Sequence, residues 1–259
     1  LIGTDLTNAN LTGTDLSGKD LTGAKLVGVD LSGKDLTESI FNGASFADAN
    51  LESANLKYSN FRNVDLTNIK NKSLAGSDLT DTSFAQSNLS GVNLSEAILF
   101  GNNWIEANLS GLDFTVVSNA FILGGIFLNA NLSNSNFEGV DLSPKKMWVE
   151  TFKNKAHLKD LHFEMLVPDL FADICYGVNQ MNMLKAECFT IHILRTEVKG
   201  NDLEVTWTIS NTFAGANLEN ANFKNAILMA SDFGWANLTN ADLSGADLRL
   251  TSFDNADLS

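Results

Sequence analysis

The chain has 259 residues and a formal net charge of −14, from 31 acidic and 17 basic residues. This acidity argues against direct binding to nucleic acid or to anionic membranes, because both need basic surfaces. Two cysteines, Cys175 and Cys188, are too few for a disulfide scaffold, and no apolar run reaches the length of a membrane span.

Residues 1–142 repeat with a period of five. A large apolar residue occupies every fifth position from Leu6 to Leu66, and the series resumes at Leu74 and at Ile122. A step of five turns about 140° on an α-helix, so it forms no apolar stripe, and in a strand it alternates between faces. The pattern is satisfied if the chain bends after every five residues, with each large residue at the centre of a side and pointing at a common axis. We therefore predict a coil of short sides in which each turn lies on the one before it.

A small residue two positions before each centre fits the tight space near each bend. In the motif "GKDL", Lys19 and Lys34 occupy this inward position instead. They are fifteen residues apart, so they should lie on different sides of the coil. We expect their aliphatic stems to run along the wall while the ammonium groups reach water.

The period is broken twice within residues 1–142, at 67–73 and at 115–121. Each break is a step of eight residues between centres, which is five plus three. Either break can be a bulge at a corner, after which coiling resumes. Lys70 and Lys72 lie together in the first. Loops on a rigid scaffold often carry recognition, but tolerated insertions are an equally simple explanation.

Residues 143–210 are predicted to be an insertion, without a five-residue rule up to about residue 187. Both prolines, Pro144 and Pro168, lie in this segment, 143–187. The spacing of Met147, Trp148, Phe152 and Leu158 is loosely helical, and a second short helix could follow Pro168. We expect a small, partly helical insertion that forms a cap or lid.

Residues 188–210 allow two interpretations. "LEVTWTIS" alternates well, and "KGND" (199–202) could turn a hairpin back to "FTIHI". Alternatively, these residues are degenerate repeats, because Cys188, Ile193, Val198, Leu203 and Thr208 are in phase with Phe213.

The repeats resume over residues 211–259, where Phe213 to Leu258 are again five apart. The four repeat segments together contain 38 centres, all Leu or Phe except Trp104 and Ile122. The matching segments include "ANLEN", "ADLSG", "ANLTN", "SDLTD" and "VDLSG". They resemble the pentapeptide-repeat family, whose pattern is roughly A(D/N)LXX. The resemblance implies an all-β fold, a right-handed quadrilateral β-helix with four repeats per coil.

No catalytic, cofactor-binding or metal-binding residue is assigned from the sequence. The cluster His157, Asp160, His162 and Glu164 matches no standard zinc spacing, and nothing near Cys175 resembles a catalytic signature. We therefore expect that the protein is not an enzyme and needs no cofactor; if it were one, the insertion would be the credible site.

The favoured function is a structural or protein-interaction scaffold built on a rigid acidic rod, with a protein partner. The alternative, which the resemblance suggests, is a DNA mimic that binds a DNA-processing enzyme such as gyrase. Against it, six aspartates that precede centres should fall on all four faces: Asp5, Asp15, Asp20, Asp30, Asp35 and Asp65. The chain opens and closes in repeat phase, so we expect a fragment or processed chain, which could associate end to end through uncapped coils.

Overall fold

The computed structural model describes residues 1–118, 122, 124–143, 145–152, 191–199, 202–209 and 211–259. These residues belong to two compact units. The first contains Leu1–Ser143 together with Asn211–Ser259, and the second contains Pro144–Ser210.

The first unit is a right-handed quadrilateral β-helix, as predicted. Parallel bridges join residues twenty apart, such as Asp5 with Lys25 and Asn217 with Asn237. Twenty residues divided into sides of five give four sides per coil. Leu218 and Phe223 are fully buried, so the five-residue centres point inward as their spacing indicated.

Most corners of the coil are tight turns closed by a main-chain hydrogen bond. The N–H three residues after a centre donates to the carbonyl of that centre, as Ala24 does to Leu21 at 2.9 Å. At these corners, the second residue after the centre has positive φ, for example Gly23 at 65° and Asn63 at 56°. Type II turns require this left-handed residue, which explains why Gly and Asn recur there.

The interior contains a column of stacked aromatic rings along one side of the coil. Successive ring centroids lie 4.7 to 6.1 Å apart. The column runs through Phe41, Phe61, Phe84, Trp104, Phe127, Phe213, Phe233 and Phe253. Coil-to-coil stacking of like residues gives every coil the same kind of contact with its neighbours.

Polar residues at the inward position also link the coils. The Ser39 hydroxyl donates to the Leu16 carbonyl at 2.7 Å, and Thr82 donates to Leu56 at 2.7 Å. Lys34 makes the same kind of bond. Lys34 Nζ donates to the carbonyls of Leu11 at 2.9 Å and Thr14 at 2.8 Å. Because Lys34 stays partly exposed, the expected access of its ammonium to water remains a prediction.

Both phase breaks are absorbed without loss of the coil. Bridges across them join residues 23 apart, Asn55 with Asp78 and Asn103 with Ile126. In the first break, Lys70–Lys72 form a short 3-10 turn, and the preceding Ile69 is buried. In the second, Val117 is buried, while residues 119–121 lie outside the described part.

The coil also continues across the insertion. Ile126 bridges to Thr212 and Asp141 to Ile227. Asn211 ties the two chain segments together: its Nδ2 donates to the carbonyls of Leu142 at 2.9 Å and Ile122 at 3.1 Å, and its Oδ1 accepts from Gly125 N–H at 2.8 Å.

The second unit contains a three-stranded antiparallel sheet. Its strands are Lys145–Phe152 (β1), Ile191–Lys199 (β2) and Asp202–Ile209 (β3), in the order β1-β3-β2. In register, Trp207 of β3 lies opposite Trp148 of β1 and Ile193 of β2, and each outer strand has an irregularity next to that position.

Two expectations for the insertion can be compared with this sheet. The helical interpretation of Met147, Trp148 and Phe152 is wrong, since these residues lie in β1. Pairing with β3 places Trp148 opposite Trp207 and Phe152 opposite Leu203, which the loose helical spacing could not reveal. Residues 191–199 and 202–209 pair as antiparallel strands and do not form stacked coil sides. Leu158 and the helix expected after Pro168 lie outside the described residues.

Candidate interaction surface

The residue before each centre lies on an outer face of the coil, where it bridges to the coils above and below. On one face, this position is asparagine in five successive coils. We call this row the asparagine face: Asn88, Asn108, Asn131, Asn217 and Asn237, joined in turn by parallel bridges. Asparagine side chains can form hydrogen-bonded ladders along such a stack.

The side-chain amides of the asparagine face form a continuous hydrogen-bonded ladder. Each Nδ2 donates to the Oδ1 of the coil before it, over 3.1 Å from Asn108 to Asn88 and 3.1 Å from Asn131 to Asn108. The ladder continues over 3.4 Å from Asn217 and 3.1 Å from Asn237.

Each Oδ1 also accepts a main-chain N–H two residues later, as Asn108 does from Ser110 at 3.2 Å. An amide has two donor hydrogens and an oxygen that accepts two bonds. Within the ladder, the oxygens are therefore filled, and one N–H per coil stays available. The face presents a row of uncharged donors, about 4.8 Å apart, that are already fixed in place.

Hydroxyl groups line the next column of the same face. Ser90, Ser110, Ser133 and Thr239 each follow a centre, and the hydroxyls of Ser90 and Ser110 are 3.0 Å apart. Glu219 holds this position in the intervening coil. The middle of the face is thus polar and nearly free of charge, on a chain whose net charge is −14.

Trp235 lies beside the asparagine face, two residues before Asn237. It is 73% exposed and has φ of 61°. In the coil below, the same corner position is Gly215. A left-handed conformation costs a residue with a Cβ roughly 1–2 kcal/mol, and a largely exposed indole gains little burial energy. Folding therefore gives no reason for tryptophan at this corner.

Carboxylates in the first two coils point outward on every face. Four of these aspartates lie on four different faces of the coil. The face of each is fixed by its bridge to the next coil, in the pairs Asp5–Lys25, Asp20–Ile40, Asp30–Asn50 and Asp35–Asn55. A hydrogen bond from the Thr7 hydroxyl lowers the pKa of Asp5, and one from the Ser17 hydroxyl lowers the pKa of Asp15. These acids stay ionised near neutral pH, but they form no single acidic stripe.

One carboxylate differs from the rest. Burial raises the pKa of Asp81 to about 6. Its Oδ1 lies where a Cβ on Gly101 would be, at a distance of 2.0 Å. The same arrangement places Asn129 over Gly215 and Asn225 over Gly245. The signal in the sequence is an Asp or Asn at a corner followed by Gly at the same corner one coil later.

The residues weighed for chemistry mostly fall outside the described ranges. These are His157, Asp160, His162, Glu164, Cys175 and Cys188. Among the described residues, no group of three or more His, Cys, Asp or Glu side chains could hold a metal ion. The described part of the chain contains no helix with the length and apolarity that a bilayer crossing requires.

A family model described as pentapeptide repeats matches residues 1–33, 30–68, 77–115, 212–245 and 231–259, which is more than half of the chain. No curated protein sequence matches significantly.

Several solved structures match the fold. HetL, a pentapeptide repeat protein involved in heterocyst differentiation regulation from the cyanobacterium Nostoc sp. Strain PCC 7120, is 20% identical with a TM-score of 0.42, over 99% of this chain and 85% of that one. QnrB1, a plasmid-mediated fluoroquinolone resistance protein, is 14% identical with a TM-score of 0.29, over 98% and 91%. Rfr23 from the cyanobacterium Cyanothece 51142 is 16% identical with a TM-score of 0.29, over 73% and 92%. At these levels, the three structures say nothing about what this chain binds.

Proposed function

The chain belongs to the pentapeptide-repeat family, and from that premise we propose that it is a non-enzymatic scaffold that binds a partner protein along the asparagine face. The observation that supports this proposal most directly is Trp235. It combines an unfavourable backbone conformation with an exposed indole, beside a row of ordered hydrogen-bond donors.

Each part of this surface has a role in protein recognition. Tryptophan is enriched among the residues that contribute most to binding, because it buries a large rigid area with one polar group. The asparagine ladder costs little entropy on binding, since its amides are already held between coils. The partner should present main-chain carbonyls or carboxylates to the spare N–H groups, and an apolar pocket to the indole.

The test uses the variant Trp235→Gly, which restores the residue type of the coil below. The full chain is immobilised, and proteins retained from a lysate of the source cells are compared between the parent and the variant. A partner that binds this face is retained by the parent chain and lost with Trp235→Gly.

The matched control is Leu250→Gly. Leu250 is also exposed and also left-handed, with φ of 61°, but it does not lie beside the asparagine face. Both substitutions should raise thermal stability by relieving the same strain, so a loss of binding confined to Trp235→Gly is not a folding effect. If Trp235→Gly retains the same proteins as the parent, the proposed contact surface is wrong.

The DNA-mimic alternative has less support. Its basis is the net charge of −14, but the aspartates of the first coils lie on different faces and do not form two parallel acidic rows. A supercoiling assay with DNA gyrase distinguishes the two functions. Inhibition by micromolar protein would favour the mimic, and unchanged supercoiling would remove it.

We also propose that the 259-residue chain by itself associates end to end. Leu1 is 51% exposed and Leu258 is 56% exposed, although both occupy positions that are buried within the coil. Light scattering should show dimers whose fraction rises with protein concentration. A strict monomer at all concentrations would contradict this proposal.

A further inference from the structure

The first two coils are separated along two of their four sides. Main-chain bonds close the coils at Leu6 to Lys25, 2.8 Å, and again at Gly18 to Thr37, 2.8 Å. Between these points, in a stretch that the structure describes completely, five expected bonds are absent. The N–H groups without a hydrogen bond are those of Leu11, Gly13, Leu16, Asp30 and Asp35. We call this opening, between residues 9–16 and 30–35, the inter-coil slit.

Lys34 accounts for the slit. Elsewhere, a short side chain at the inward position donates to the centre carbonyl of the preceding coil, as Ser39 does to Leu16 and Ser77 to Leu51. Lys34 donates to the equivalent carbonyl, that of Leu11. Its stem is three carbons longer than that of serine, so the preceding coil has to stand further away. Two bonds from the ammonium replace five bonds of the main chain.

Lys19 shares the local sequence of Lys34 but lies in the first coil, where the equivalent carbonyl, 23 residues earlier, would precede Leu1. The hexapeptide "SGKDLT" occurs at residues 17–22 and again at 32–37. Lys19 is exposed, and no carbonyl bond from it is among the contacts of the described residues. Other gaps in the ladder occur beside the phase breaks, where extra residues interrupt the register. The inter-coil slit has no such interruption.

We propose that the inter-coil slit binds an extended peptide segment as an added strand. Unpaired N–H and C=O groups on a strand edge are the groups through which proteins add a strand from a partner. Here, two such edges face each other across a groove of about 540 Å³. Ala9, Gly13, Gly28 and Ser32 line much of the groove. These small residues leave room for main chain with small side chains, while Asp30 and Lys34 add one charge of each sign to the lining. This site is separate from the asparagine face.

The first experiment uses the full chain and the neutral peptide acetyl-Ala-Ala-Ala-amide as a probe. In the free protein, the amides of Leu11, Gly13 and Leu16 should exchange with solvent far faster than that of Leu21, which donates to Ile40 at 2.7 Å. Peptide at saturation should slow exchange of the three slit amides by about tenfold or more. The matched probe is the same peptide with every amide nitrogen methylated, which removes its donors and should have no effect.

Three results would overturn the proposal. One is protection of the three slit amides in the free protein, which means that the slit is closed. Another is fast exchange that the peptide does not change up to its solubility limit. The third is equal protection by the methylated peptide, because binding would then not depend on main-chain donors.

The second experiment tests Lys34 as the positioning residue. Lys34→Ser keeps a donor for the Leu11 carbonyl but shortens the stem, so the coils should close and peptide protection should be lost. Lys19→Ser changes the identical motif fifteen residues earlier and should leave peptide binding unchanged. If Lys34→Ser binds the peptide as well as the parent does, Lys34 does not hold the slit open.

Discussion

The buried carboxylate of Asp81 predicts an unusual pH dependence of stability. Its pKa of about 6 in the folded protein lies above the ordinary value of 3.8. The folded chain therefore holds this proton more tightly than the unfolded chain does. The stabilising contribution is fully present below about pH 4 and is lost as the pH rises through 6.

The size of the effect follows from the two pKa values. The difference between 3.8 and about 6 corresponds to at most ~3 kcal/mol. Asp81 is half-buried, so water screens part of this, and a cost of ~1–2 kcal/mol above pH 7 is reasonable. The substitution Asp81→Asn removes the charge with little change in shape. At pH 8, it should raise Tm by ~2–8 °C, since 1 kcal/mol shifts the Tm of a chain of this size by about 2–4 °C.

Thermal unfolding of the parent chain and Asp81→Asn between pH 4 and 8 provides the test. The two curves should meet near pH 4 and separate as the pH rises. Asp78 is the control: burial would raise its pKa, but hydrogen bonds from Thr80 and Lys57 outweigh this and lower it. Asp78→Asn should therefore destabilise at pH 7, with the loss shrinking as the pH falls below 4. A constant difference between Asp81→Asn and the parent across this range would refute the reasoning.

Three further predictions concern the core, the ladder and the corners. Phe213→Ala should lower the free energy of unfolding by ~3–5 kcal/mol. The Phe213 ring is fully buried, and its centroid lies 4.7 Å from those of Phe127 and Phe233. A smaller loss, measured by urea unfolding, would mean that the coils collapse around the cavity. Asn131→Ala breaks the middle of the ladder and should cost ~1–2 kcal/mol; an unchanged midpoint would show that the ladder does not stabilise the coils. Gly101→Ala should lower Tm more than Gly33→Ala does. Both glycines have positive φ, but only at Gly101 does the new Cβ meet the Asp81 carboxylate. Equal Tm values for the two variants would contradict this.

The sequence predicts the coil because its rule is local and repeated. A large residue every fifth position excludes a regular helix or strand at each site, so the many occurrences all point to one bend per five residues. The number of sides per coil does not follow from this five-residue rule. It came from the family resemblance, and the bridges between Asp5 and Lys25 and their equivalents supply it directly.

Features that depend on contacts between coils were harder to predict. Lys34 lies in the same hexapeptide as Lys19, but only Lys34 follows a coil whose carbonyls, those of Leu11 and Thr14, can bond its ammonium. Asp81 becomes buried because the residue one coil above it is Gly101. For Met147 to Phe152, there is no repeat to average over, and a short apolar segment fits either a helix or a strand.

Asn211 marks the place where the coil accommodates 144–210 without changing pitch. Asn211 begins the returning segment, and its amide bonds to Leu142 at the end of the departing segment and to Gly125 in the coil before it, so exit and re-entry points stay within bonding distance of each other. Such a clamp makes this corner a natural graft point. An unrelated module with closely spaced ends could be inserted there. The coils before and after the insertion point would keep their pairing register.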